Sequence, residues 1–148
     1  MARPGITHVV SGMGPGPFTG LRIGVAAARA FALGRGVPVV PVPSHYAAAL
    51  ALGRTDRFAI VTDARRREVA VSVFEGTDAD GIPLLVEPTR LEPQDAQLAV
   101  PAVTVTTIDA SALARVGALA LAAGRTLAGD EPLYLRHPDV SVPRQVRL

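Results

Sequence analysis

The sequence predicts an α/β protein built on a mixed sheet with flanking helices. Three observations carry that expectation. Over the first fifty residues a β-branched run, an alanine-rich run, a second β-branched run and a second alanine-rich run alternate, the order that pairs strands in parallel across a helix. The stretch RFAIVTDARRREVAVSVFEG then reads as two strands around a polar turn, which adds antiparallel pairing. Apolar residues make up 49% of the 148 residues and charged ones 19%, so there is material for a core and no signature of disorder.

Each element has a local reason. Ile6 to Ser11, ITHVVS, is a short strand that ends at the glycines. Pro17 suits the first turn of a helix, where its missing N–H is no loss, with Gly16 as the cap before it. That helix is expected from Pro17 to Leu33, stopped by Gly34, Gly36 and Pro38. Val37 to Val42 is the next strand, its prolines near the ends or on an edge. Ser44 is expected to cap a short helix, HYAAALAL, closed by Gly53.

In the hairpin the strands are Phe58 to Thr62 and Glu68 to Phe74. Val69, Val71 and Val73 alternate there with Glu68, Ala70 and Ser72, which predicts one buried and one partly wet face. Pro83, Pro88, Pro93 and Pro101 then punctuate the chain and leave a short strand around Leu84 to Val86 and a helical turn after Glu92. VTVTTI, Val103 to Ile108, is strand-like. Ser111 is expected to cap a helix from Ala112 to Leu127 that Gly129 ends, and the tail from Glu131 is extended or irregular.

Composition narrows the chemistry. There is no cysteine, which excludes disulfides, thiolate zinc sites and cysteine nucleophiles from these residues. All fifteen basic residues are arginine, so the pI near 9.9 reflects arginine's high pKa rather than excess charge, the net charge being +2. Arg65 to Arg67, beside Asp63 and Glu68, read as a solvated turn, and four Phe and two Tyr without a basic stripe give no platform for RNA bases. Arg29, Arg35 and Arg54 interrupt the apolar stretches before they reach membrane-span length, and no leader opens the chain. The expectation is a cytoplasmic protein without membrane contact.

Five glycines fall in the thirteen residues GMGPGPFTGLRIG, Gly12 to Gly24, and two readings compete for them. A phosphate cradle needs amides converging at a helix start. The spacing is neither GxGxxG nor GxxxxGK[ST], the chain has no lysine, and Pro15 and Pro17 remove two donors. The alternative is close packing. Gly20 and Gly24 share a helix face and together cost about 2 kcal/mol against alanine, so another backbone is expected to press there, the protein's own sheet first. Arg22 and Arg29 share a side with Val25 and Ala26, a mixed surface that suits a polar-rimmed interface.

GPGPFTGLRIG with the AAARAFALGRGVPVVPVPS run resembles the signature of the TsaB (YeaZ) family, non-catalytic subunits in bacterial synthesis of threonylcarbamoyladenosine in tRNA. TDARRREV, Thr62 to Val69, and PLYLRHPDV, Pro132 to Val140, resemble two further stretches of that family, in the same order. Pro17 stands where the family usually has serine and Arg67 where glycine is common. The resemblance implies an actin-like ATPase (ribonuclease-H-like) fold, here incomplete. The family's opening strand meander and first helix are not in this chain, which leaves 1–53 as the remainder of an N-terminal lobe and 54–148 as a C-terminal lobe. The first strand is then expected to keep an unpaired edge, through a misassigned start, a fragment, or a neighbouring chain that covers it.

The resemblance also implies a function. The chain is expected to be a scaffold that is not itself an enzyme and binds no cofactor or metal. Phe18, Leu21, Arg22, Val25 and Arg29 would face a homologous helix of the catalytic paralogue TsaD, with the ATPase TsaE in the assembly and tRNA contacted only indirectly. The same helix can pair two copies as a homodimer. The alternative is a nucleotide-binding enzyme of the actin-like, sugar-kinase-like class that uses the glycine loop as its phosphate site. Against it, DARRRE places arginines where the active relatives' second hairpin turn needs glycines. The family's glycoprotease-like label finds no support either: His8, His45 and His137 are widely separated and lack ligand spacing. Ser11, His45 and Asp63 can be nominated as a triad, but no GxSxG elbow accompanies them.

Overall fold

A computed structural model describes residues 5–136. The first half is an α/β unit. Strand β1 (Val9–Gly12) pairs in parallel with β2 (Val39–Val42), Val9 opposite Val39 and Gly12 opposite Val42. Helix α1 (Phe18–Arg35) connects them and packs on one face of the pair. Its end follows from the sequence. Gly36 takes φ 65°, which a side chain resists; its N–H bonds Leu33 O at 3.2 Å while Val37 N–H bonds Ala32 O at 3.0 Å, the paired bonds of a Schellman motif.

Helix α2 (Ser44–Leu52) leads into a four-stranded sheet ordered β5 (Pro83–Pro93), β4 (Glu68–Thr77), β3 (Arg57–Asp63), β6 (Ala102–Thr104). Strands β3 and β4 form the expected hairpin, and β6 joins β3 in parallel, which makes this sheet mixed. Helix α3 (Ala110–Ala122) packs on α2 and on the β1–β2 pair. The expected mixed architecture is therefore present, divided between a parallel pair and a larger sheet.

Several expectations shift. β1 begins at Val9 rather than Ile6, because pairing starts where Val9 N–H reaches Pro38 O. β2 starts at Val39, not Val37. Residues 70–74 of β4 are buried on both faces, not one. Phe58, Ile60 and Phe74 pack against Ala48 and Ala49 of α2, while Ala59, Val61, Val71 and Val73 are covered from the other side by Leu98 and Val100. The segment around Leu84 to Val86 is an eleven-residue strand, β5 (Pro83–Pro93). It lies at the sheet edge, where a proline's missing N–H costs no ladder bond, and Pro88 falls in the bulge between the pairs Val71–Arg90 and Val73–Glu87. A turn closed by Ala96 N–H on Pro93 O replaces the helical turn after Glu92. The strand expected over Val103 to Ile108 is limited to β6.

The helix starts are also corrected. Pro17 is itself the N-cap of α1, and Pro43 that of α2. Asp109, not Ser111, caps α3, its carboxylate accepting the Ser111 N–H at 3.0 Å. That helix ends at Ala122, short of Leu127 and Gly129, because Gly124 N–H and Arg125 N–H close back onto Leu121 O and Ala120 O.

Candidate functional site

The glycine loop runs from the end of β1 to the start of α1, and its backbone is already engaged. Met13 N–H bonds Val42 O at 2.9 Å, and Gly14 N–H bonds the buried Ser44 hydroxyl at 3.1 Å. Ser44 thus serves the loop rather than capping its helix. Ser44 N–H returns to Gly14 O at 2.7 Å, and Leu133 N–H bonds Met13 O at 2.7 Å. With Pro15 and Pro17 lacking an N–H, few loop amides remain to converge on an anion. The loop is bolted to the β2–α2 junction and to the segment 130–134.

Helix α1 is the least covered element of the structure. Val25 and Ala32 are its buried residues, with Leu21 and Ala28 half-buried beside them. The rest is exposed, including Phe18 at 53%, Ile23 at 65%, Phe31 at 50% and Leu33 at 84%. A side chain added at Gly20 or Gly24 would meet nothing within 4 Å. The expected packing of those glycines on the protein's own sheet is therefore not found, since the helix turns Val25 and Ala32 to the strands instead.

The five residues expected at a partner interface divide. Phe18, Arg22 and Arg29 share an exposed flank. Arg22 Nε donates to the Tyr134 hydroxyl at 3.1 Å, its guanidinium lies 4.1 Å from the Phe18 ring centre, and the Phe18 and Tyr134 rings are 5.6 Å apart. Arg29 donates to the Asp130 carbonyl. Val25 points inward at 4% exposure, and Leu21 faces Gly14. Sequence reasoning missed Ile23, Phe31 and Leu33, although on a 3.6-residue repeat Ile23 falls opposite Val25 and Ala32, and Phe31 and Leu33 fall to either side of that buried stripe. It also missed Tyr134, for which no local signal exists.

Among the described residues, His8 and His45 do not come together. His45 is buried, with Nδ1 2.7 Å from Ser72 Oγ and Nε2 2.9 Å from Thr62 Oγ1, and Ser72 Oγ is 2.7 Å from Thr89 Oγ1. Both ring nitrogens are thus occupied, and neither Ser11 nor Asp63 is a partner. Burial lowers the His45 pKa to about 4. His8 is exposed beside Thr7, and His137 lies outside the described residues. Among the described residues no three His, Asp or Glu side chains gather as metal ligands.

The turn Arg65 to Arg67 is exposed, as expected, yet all three arginines hold positive φ, at 63°, 52° and 61°. The Asp63 carboxylate accepts Arg65 N–H, Gln94 N–H bonds Arg67 O at 2.8 Å, and Glu68 pairs with Arg136. Among the described residues no helix is long and apolar enough to cross a membrane.

Comparison with known proteins places this geometry. A family model described as "TsaD: tRNA N6-adenosine threonylcarbamoyltransferase" matches residues 2–83, more than half of the chain. An uncharacterized protein of Mycobacterium leprae is 41% identical over 85 residues, which cover 57% of this chain and 23% of that protein. Uncharacterized proteins of Mycobacterium tuberculosis and Mycobacterium bovis are 53% identical over 62 residues, 41% of this chain and 28% of theirs. The chain thus spans about a quarter of the length of the curated relatives it matches. Among solved structures, YeaZ from Pseudomonas aeruginosa superposes with a TM-score of 0.72 at 21% identity over 88% of this chain and 74% of that one. A crystal structure described as an uncharacterized protein with similarity to peptidase YeaZ from the same organism gives 0.74 at 22% identity, with the same coverage. At the level of fold, these bear out the resemblance to YeaZ and the actin-like, ribonuclease-H-like architecture it implies.

Proposed function

Because this chain belongs to the family described as TsaD: tRNA N6-adenosine threonylcarbamoyltransferase, we propose that it is a non-catalytic subunit of the machinery that places a threonylcarbamoyl group on adenosine in tRNA. It pairs through α1 with a TsaD-type catalytic paralogue, a TsaE-type ATPase joins the assembly, and tRNA is met through the paralogue. One observation carries this reading: an 18-residue helix whose outer surface exposes Phe18, Ile23, Phe31 and Leu33 to 50% or more, while no large apolar side chain elsewhere among the described residues exceeds 49%. Phe18, Arg22 and Arg29 form one margin of the contact, and Leu21 and Val25 hold the helix to the body of the protein. The engagement of Met13 and Gly14 amides within the chain weighs against a nucleotide site in the loop.

Co-expression with the paralogue tests it. The two chains are expected to co-purify, residues 1–148 are expected to restore modified tRNA in cells depleted of their own subunit, and Arg22→Glu is expected to disrupt the pair. Tight binding of ATP and magnesium by the isolated chain in calorimetry would instead support a nucleotide-binding enzyme.

A further inference from the structure

The two edges of the four-stranded sheet differ. Edge strand β5 carries three prolines, and its Glu87, Arg90 and Glu92 are joined in ion pairs, features that discourage a further strand. Edge strand β6 carries no charge. Ala59 N–H bonds Pro101 O and Val105 N–H bonds Val61 O, each at 2.8 Å, so the N–H and C=O groups of Ala102 and Thr104 turn away from β3 to the open edge. No hydrogen bond among the described residues takes them up. The side chains of Ala102 and Thr104 share a sheet face with Val61 and Asp63, the face away from α2. There they border a groove of about 440 Å³ with Val61, Leu98 and Val100 as its apolar wall and Asp63, Gln94 and Thr104 as its polar groups. The arginine turn is fastened to this rim, since the Asp63 carboxylate accepts Arg65 N–H at 3.3 Å and Gln94 N–H bonds Arg67 O at 2.8 Å. Arg65 and Arg67 are exposed and form no ion pair among the described residues.

We propose that the β6 edge and this groove receive an extended segment of a partner protein, with an apolar side chain in the groove and a carboxylate on Arg65 and Arg67. The surface is separate from α1 and does not depend on what α1 binds. Two outward residues give two donors and two acceptors, enough to set the register of an added strand, and the groove and the arginines supply the rest of the contact. The short side chains of Ala102 and Thr104 leave room for the incoming residue. Arginine's planar fork suits a carboxylate, and the acids beside the turn are engaged, Glu68 by Arg136 and Asp63 by the Arg65 amide. A second copy fits less well, because its own β6 brings three short side chains and no acid.

The test uses the full chain, isotope-labelled for amide exchange by NMR, and two short synthetic peptides of alternating threonine and leucine, one ending in two glutamates and the other in two lysines. The glutamate peptide is expected to slow exchange at the Ala102 and Thr104 amides and to leave Val103, which faces β3, unchanged. It should bind about fivefold more tightly than the lysine peptide, and that preference should vanish in Arg65→Gln/Arg67→Gln. Thr104→Pro removes an outward N–H and no bond to β3, so it should weaken both peptides about tenfold. Ala102→Phe fills the groove from an exposed position and should weaken both as much, which decides the matter where the proline variant fails to fold. Protection confined to other amides, equal affinities, a preference for the lysine peptide, or no binding at millimolar peptide would overturn the inference. So would sedimentation showing a dimer of the chain alone that Thr104→Pro dissociates.

Discussion

Gly117 of α3 lies so close to Val10 of β1 that a Cβ built on the glycine stands 2.5 Å from Val10 Cγ2 and 2.9 Å from Cγ1. No real side chain fits there without movement. The contact joins α3 to β1, so it fixes the strand that carries the glycine loop. Gly117→Ala is expected to lower stability by about 1–2 kcal/mol, because overpacking exceeds the helix propensity that alanine adds. Val10→Ala in the same background should recover part of the loss. Urea titration of the two single variants and the double variant measures the coupling, and additive losses would refute this contact.

His45 makes stability depend on pH. Its pKa is about 4 in the folded chain against about 6.5 when unfolded, so between those values the unfolded state binds the extra proton. The stabilisation is complete above pH 6.5 and is lost as pH falls towards 4. Between pH 7.5 and pH 5 the folded state should lose about 2 kcal/mol. Denaturant titrations at the two values, repeated on His45→Gln, check this. A difference of equal size in the variant would assign the effect to other groups.

The arginine turn carries backbone strain. A side chain at left-handed φ costs about 1 kcal/mol, and Arg67 sits at 61°. Arg67→Gly is expected to raise stability by about 0.5 kcal/mol, the relief of strain exceeding glycine's extra freedom in the unfolded chain. Thermal unfolding reads the shift, and a lower midpoint would contradict it.

Tyr134 ties the segment 130–134 to α1 by ring contact and by its hydroxyl. Tyr134→Ala is expected to cost about 1 kcal/mol and to speed proteolysis between residues 124 and 136, whereas Tyr134→Phe keeps the ring and should cost less than half as much. Equal effects of the two variants would show that the hydroxyl alone holds the strap.

Much of this protein was legible where the signal is local. The two glycine-stopped helices α1 and α2, the β3–β4 hairpin and the parallel β1–β2 pair all follow from caps, periodicity and element order within a few residues. The long edge strand β5 was not, because Pro88 reads as a break until β4 supplies a partner that bulges around it. For α1, sequence spacing identified the helix as a contact element but grouped Val25 with Arg22. The strands of the fold turn Val25 inward, and residues far along the chain clasp Arg22.

By itself the sequence determined an α/β chain with a glycine-rich turn, an arginine-bordered helix and the family signature of its first half. Only the tertiary structure decided that Gly14 would spend its amide on Ser44, that Tyr134 would reach Arg22 across 112 residues, and that Gly20 and Gly24 would face outward. The physical reason is range: capping and periodicity act over a turn of backbone, whereas the covering of a face depends on which distant segment comes to rest against it.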